Sequence, residues 1–289
     1  MLSKLGEFGL LAELERRGLL GGLDAEGALL ADGVVVTQDT LVEGVHFSRD
    51  WISWRDLGYK AAAVNLSDLA AMGAEPEALL VSLVLPPDTE AAAIGELYEG
   101  LNEPGVPVAG GDTTRAEALA LAVTAVGRSE RVPGRAGARP GDVVVVTGPL
   151  GGAAAGLHVL REALNGFDEL VERHRRPPLR LAEGRRLAAV AHAMVDVSDG
   201  IGGDAARIAE RSGCRIVLEP DRVPRAPRSD EVADLPFWTM GEDYELLAAV
   251  SPEDAEMLGF PVVGRCEEGS GVEPERLTGW DSFLEPEAE

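Results

Sequence analysis

The 289-residue sequence predicts a two-domain fold of the α/β or α+β class. Three observations carry that reading. The chain is long for one compact core, and domain sizes favour two. Strand and helix signals alternate in two successive series, the pattern of mixed layered folds. Between the series, residues 127–141 are rich in Arg, Gly and Pro and read as a linker. The expected domains are therefore 1–132 and 133–289.

The elements follow in order. Leu5, Leu10, Leu11 and Leu14 keep the 3.6-residue period of a helix. Gly21 to Gly27 reads as a glycine- and acid-rich loop, and Val34-Val35-Val36 as a strand ending in Gln38-Asp39-Thr40. Arg55 to Met72 reads as a helix closed by Gly73. A strand over Leu79 to Leu85 stops at Pro86-Pro87. A helix over Glu90 to Leu101, a strand at Val106 to Ala109, the turn Gly110-Gly111-Asp112 and a strand at Leu119 to Val126 complete the first series. The second has strands at 142–147, 193–197, 215–218, 246–250 and 262–264, and helices over 153–164, 179–190 and from Asp199-Gly200 to Arg211.

Composition narrows the function. The formal charge of −24 argues against nucleic acid, whose phosphates it would repel. No apolar run approaches the ~20 residues of a membrane helix, and the N-terminus lacks the core of a secretory signal. Cys214 and Cys266 match no zinc or redox spacing and read as structural thiols, so a cytoplasmic protein is expected. An anionic protein that handles phosphate needs local arginines or divalent cations. The common phosphate loops are absent. The turn Thr147-Gly148-Pro149-Leu150-Gly151-Gly152 reads as a plain tight turn, or as backbone amides facing a phosphate.

Acids recur where predicted strands end: Asp39, Asp112, Asp196 and Asp199. Singly, Asp39 and Asp112 read as turn formers and Asp199 as a helix cap. Asp68 differs, because on its helix it shares a face with Ala61, Val64 and Met72, with Asn65 one turn away. A carboxylate on an apolar face is costly without compensation, and several together raise one another's pKa. Magnesium, a hard cation that links carboxylates to substrate phosphates, accounts for the set.

Five segments then point to a family: 40–47 (Thr-Leu-Val-Glu-Gly-Val-His-Phe), 58–74 (Gly-Tyr-Lys-Ala-Ala-Ala-Val-Asn-Leu-Ser-Asp-Leu-Ala-Ala-Met-Gly-Ala), 110–114 (Gly-Gly-Asp-Thr-Thr), 195–200 (Val-Asp-Val-Ser-Asp-Gly) and 241–246 (Gly-Glu-Asp-Tyr-Glu-Leu). In order and spacing they resemble the thiamine-monophosphate kinases. Gly6-Glu7-Phe8 and the closing 279–283 fit as well. The resemblance implies the two-domain fold of aminoimidazole ribonucleotide synthetase, with N-terminal domains pairing across a homodimer and ATP near that interface. It implies a kinase that transfers phosphate from ATP to thiamine phosphate. Mg²⁺ would be held by Glu26, Thr37, Gln38, Asp39, Asp68, Asp112, Asp196 and Asp199. ATP would contact Gly111, Asp112, Arg135 and Ser198, and thiamine phosphate His46, Glu242 and Trp280. An indole suits a flat cationic ring. Arg135 suits a phosphate by its fork, or an interdomain salt bridge. His158, His174 and His192 match nothing in the resemblance and read as structural. No general base is expected.

The chain departs from the family in its first glycine-rich loop. Where the family carries Gly-Asp-Asp, this sequence has Asp24-Ala25-Glu26, and Gln38 replaces a threonine. The alternatives are a sister ATP-using enzyme of the superfamily, or a paralogue that binds nucleotide or thiamine phosphate without catalysis. The altered loop is the sole support of the latter.

Overall fold

The computed structural model describes residues 2–21 and 24–275. Helix α1 (Leu2–Arg16) precedes a five-stranded sheet. Its strands are β1 (Ala28–Leu29), β2 (Val34–Val42), β3 (Glu75–Leu85), β4 (Val108–Arg115) and β5 (Ala120–Arg128). Their order is β1-β2-β5-β3-β4, antiparallel except for the β3–β4 pair. Helices α2 (Trp54–Ala71) and α3 (Ala91–Asn102) belong to the same unit. Alternate residues of β2 and β5 point into a core with Leu57, Leu66 and Leu69 of α2.

Helix α2 starts where Ser53 accepts from the Asp56 amide at 3.0 Å, an N-cap bond. It ends in Gly73, whose positive φ turns the chain out of the helix. Nearly every residue from Leu57 to Ala71 is buried, because α2 also packs on the second domain. A polar side chain on this helix is therefore positioned firmly.

The second domain carries a six-stranded sheet: β6 (Val143–Val146), β7 (Ala193–Asp196), β8 (Arg215–Leu218), β9 (Leu246–Val250), β10 (Val262–Glu267) and β11 (Gly271–Glu273). The order is β11-β8-β10-β6-β9-β7, with only β8–β11 parallel. Two mainly antiparallel sheets with helices make this the α+β form of the expected class. Helices α4 (Gly152–Arg161), α5 (Asp168–Arg175), α6 (Leu181–Ala188), α7 (Ile201–Ser212), the single turn α8 (Ser229–Val232) and α9 (Pro252–Leu258) complete it. A shared cluster joins Ala70 and Ala71 to Leu187, Ala188, Met194 and Leu246, so the two domains meet on α2. Gly184 of α6 lies so close that a Cβ there would overlap the Ala70 carbonyl.

Most expected elements are present with shifted ends, and β1, α5, α8, α9 and β11 are additions. Two differences matter for the site. Asp39 lies within β2, opposite Val123, not at a strand end. Gly110, Gly111 and Asp112 form part of β4, not a turn. In both cases strand pairing continues past the local turn signal, as tertiary context overrides propensity. Gly111 is pressed against β3, where a Cβ would overlap the Val81 carbonyl.

Candidate active site

Carboxylates from both domains converge at the inner end of α2. Oxygens of Glu26, Asp68 and Asp196 all lie within 4.8 Å of one another. Glu26 comes from the loop before β1, Asp68 from α2 and Asp196 from the end of β7. The Thr37 hydroxyl donates to Asp68 and lies 3.3 Å from the Glu26 carbonyl oxygen. Asn65 accepts from the Asp39 amide at 3.0 Å, which ties β2 to α2. Ser67 donates to Asp196 at 2.7 Å, so adjacent residues of one helix address both domains.

The charges of Asp39, Asp68 and Asp196 are poorly compensated. Burial, then Glu26 and Asp199, pushes the Asp39 carboxyl up to about 6. Burial and the Glu26 charge push Asp196 up to about 8 against the Ser67 hydrogen bond. Asp68 is raised well above the carboxylate range by burial and then by Asp39, Asp196 and Glu26. Such a set fits a divalent cation. Two oxygens on one Mg²⁺ lie at most roughly 4.2 Å apart, so small side-chain rotations would close the cluster on it.

Glu26 thus reaches the cluster despite the altered loop, with Arg135 paired to both its oxygens. That pair joins the linker to the first domain, the salt-bridge reading of Arg135. Asp24 is exposed and lies 3.7 Å from Arg211, which is itself hydrogen-bonded to Glu15. Asp199 pairs with Arg207 and is raised by burial, which that arginine opposes. Arg207 also holds the fully buried Asp204 at 2.8 Å. Ser198 supplies a carbonyl to the Glu242 amide at 2.8 Å.

Other candidates lie apart. Gln38 is exposed on the opposite face of β2 from Thr37 and Asp39 and accepts from Thr124 at 2.8 Å. Gly111 and Asp112 are exposed on β4, separated from β2 by β5 and β3. Trp280 lies outside the described residues.

A second polar group stands beside the first. His46 Nδ1 accepts from the Val42 amide at 3.0 Å, leaving Nε2 as the proton-bearing nitrogen of the neutral ring. Burial holds its pKa down, with Glu242 and Lys60 among the charges acting on it. Lys60 is fully buried and lies 3.2 Å from Glu242, and His174 Nδ1 stands 3.4 Å from the same carboxylate. Burial opposes the Glu242 charge, yet Lys60 and His174 hold its pKa down to about 2.

The turn at 147–152 is closed to phosphate. Asp243 accepts from the Gly151 amide at 2.6 Å and from the Ala153 amide at 3.3 Å, filling the α4 N-terminus. The sequence reading did not single out Lys60, Asp204 or Arg207, and it took His174 as structural. A lysine inside the apolar run 57–64 was a signal for the first, and the Asp204–Arg207 spacing of three for the last pair.

Two sheet domains meet on one helix, with acids converging from both, and the chain belongs to the class of AIR synthase related proteins. Residues 24–129 match the N-terminal domain of that class and 139–259 its C-terminal domain. Thiamine-monophosphate kinase of Aquifex aeolicus is 35% identical over 290 residues, covering 94% of each chain. The enzyme of that name from Bacillus subtilis is 40% identical over 243 residues, covering 78% of this chain and 74% of its own. A solved structure of AaThiL complexed with AMPPCP and TMP superposes with a TM-score of 0.91 at 33% identity, covering 97% and 98%. Hydrogenase maturation protein HypE, at 17% identity and a TM-score of 0.72, shares the fold alone. This chain belongs to the thiamine-monophosphate kinase family and is a kinase.

Proposed function

We propose that the chain transfers the γ-phosphoryl group of ATP to thiamine monophosphate, forming thiamine diphosphate in the cytoplasm. The convergence of Glu26, Asp68 and Asp196 from both domains supports this most strongly, because a shared phosphoryl-transfer centre needs it. Glu26, Asp39, Asp68 and Asp196, with Thr37 as hydrogen-bond support, are the residues we assign to Mg²⁺. Mg²⁺ bound there supplies charge neutralisation and orientation of the phosphates.

The chain's own residues position the reactants. The acceptor is a phosphate oxygen whose second ionisation lies near pH ~6, so at neutral pH it is already the dianion and needs no general base. We therefore read the reaction as direct in-line transfer with several Mg²⁺ ions. Arg135 and the Ser198 loop border the ATP side. His46 and Glu242 border the thiamine side, and Trp280 is assigned there from the family resemblance.

Strand β4 is an edge strand and is exposed from Ala109 to Arg115. We read it as the surface that a second copy covers in a homodimer, which would bring Gly111 and Asp112 to the nucleotide. We keep the domain boundary between 132 and 133 as our reading.

The test is incubation of the purified chain with ATP, Mg²⁺ and thiamine monophosphate, with thiamine diphosphate resolved by chromatography. Stoichiometric ADP and thiamine diphosphate are expected. ADP release without thiamine diphosphate would reject the acceptor.

A further inference from the structure

We propose that Lys60 is a positioning residue for this reaction: from inside α2 its ammonium, with His174 beside it, holds the Glu242 carboxylate in place to receive thiamine phosphate. The inference rests on reading Glu242 as a substrate contact.

The geometry is asymmetric. The Lys60 side chain is 0% exposed, whereas that of Glu242 is 30% exposed. Lys60 lies 3.2 Å and 3.3 Å from the two carboxylate oxygens, so it grips Glu242 from behind and leaves its outer side open. The pair also crosses the domain boundary, with Lys60 on α2 and Glu242 in the segment before β9.

The backbone of that segment is held on both sides. Glu242 and Tyr244 both have positive φ, 60° and 51°, a conformation that non-glycine residues adopt only under constraint. The constraints are visible. The Glu242 amide donates to Ser198 O, and the Tyr244 amide donates to Val197 O at 2.9 Å. Asp243 is fixed at the α4 N-terminus, and Glu245 accepts from Thr147 and Arg180, each at 2.6 Å. Tyr244 packs into the core of the first domain. With the backbone fixed, the remaining freedom of Glu242 is its side-chain rotamer, and Lys60 selects it.

Stability alone is a weak reason for such a pair. A buried ion pair returns little over an apolar replacement, while removal of one partner leaves an uncompensated charge. A lysine placed behind a half-open carboxylate is better explained by the ligand side of that carboxylate. His46, the other thiamine-side candidate, feels both charges.

The experiment is a steady-state cycle of wild type, Lys60→Met, Glu242→Gln and the double variant, with KM measured separately for thiamine monophosphate and ATP. We expect Lys60→Met to raise KM for thiamine monophosphate by roughly tenfold or more while KM for ATP stays within about twofold. In the Glu242→Gln background the same change should add less than about twofold, because its target is gone. If Lys60→Met does not fold, the double variant is compared with Glu242→Gln. Matching KM values would support the proposal, and a further rise of roughly tenfold would overturn it. A wild-type KM in Lys60→Met beside a raised one in Glu242→Gln would overturn this proposal alone. A wild-type KM in Glu242→Gln would overturn the substrate reading of Glu242 and this proposal with it.

Discussion

Asp68 of α2 and Asp196 at the end of β7 meet across the domain boundary, with carboxylate oxygens within 4.8 Å. A half-buried and a buried carboxylate from different domains are a liability in the bare protein and an asset once a cation joins them. Asp68→Asn should therefore reduce turnover by roughly a hundredfold or more. The thermal midpoint of the metal-free protein should stay level or rise, since one member of a repulsive set is removed. Asp112→Asn should lose turnover as well, on our reading that a second copy covers β4 beside the nucleotide. Near-wild-type turnover of Asp68→Asn at saturating Mg²⁺ would remove it from the metal site.

The raised carboxyls also give stability a pH signature. A carboxyl whose folded pKa is raised keeps its proton in the folded chain after the unfolded chain has lost it. Folding is then favoured at low pH, and stability falls as pH rises from the ordinary 3.8 through about 6 for Asp39 and about 8 for Asp196. The thermal midpoint of the metal-free protein should fall between about pH 5 and about pH 8. Mg²⁺ should restore more of it at the higher pH, where the ligands are ionised. An equal Mg²⁺ effect at both pH values, by scanning calorimetry, would contradict this assignment.

The altered loop yields a sharp contrast between neighbours. Glu26 lies in the carboxylate cluster, while Asp24 is exposed and near Arg211. Glu26→Ala should raise the Mg²⁺ concentration needed for half-maximal turnover by roughly tenfold. Asp24→Ala should shift it less than about twofold. Equal shifts would show that the loop does not present Glu26 to the metal.

Much of the fold was legible because the hydrophobic period changes cleanly from element to element. β8 and β9 match the expected spans, whereas β2 and β4 run further than their turn signals suggested. Pairing with β5 and β3 supplies what local propensity lacks there. Asp68 stood out because an acid on an apolar face needs a reason. Lys60 had the same property and was passed over, since its partner Glu242 lies 182 residues away. The Asp243 cap on α4 could not be read either, because a turn that could cradle phosphate looks the same when an internal carboxylate occupies it.

The chemistry of transfer makes its own prediction. With a phosphate dianion as acceptor, the reaction needs no nucleophilic side chain and no phosphoenzyme. ATP chiral at the γ-phosphorus should give thiamine diphosphate with inverted configuration. Retention, or a phosphorylated residue trapped by rapid quench and found by mass spectrometry, would reject direct transfer.

One titration decides whether carboxylates from both domains hold the Mg²⁺ that drives phosphoryl transfer to thiamine monophosphate. Thiamine diphosphate formation is followed against Mg²⁺ concentration at fixed ATP in the wild type and in Asp196→Asn. We expect no product without Mg²⁺, saturating formation with it in the wild type, and loss of product or a markedly higher Mg²⁺ requirement in Asp196→Asn. Mg²⁺-independent turnover, or an unchanged Mg²⁺ curve in Asp196→Asn, would contradict it.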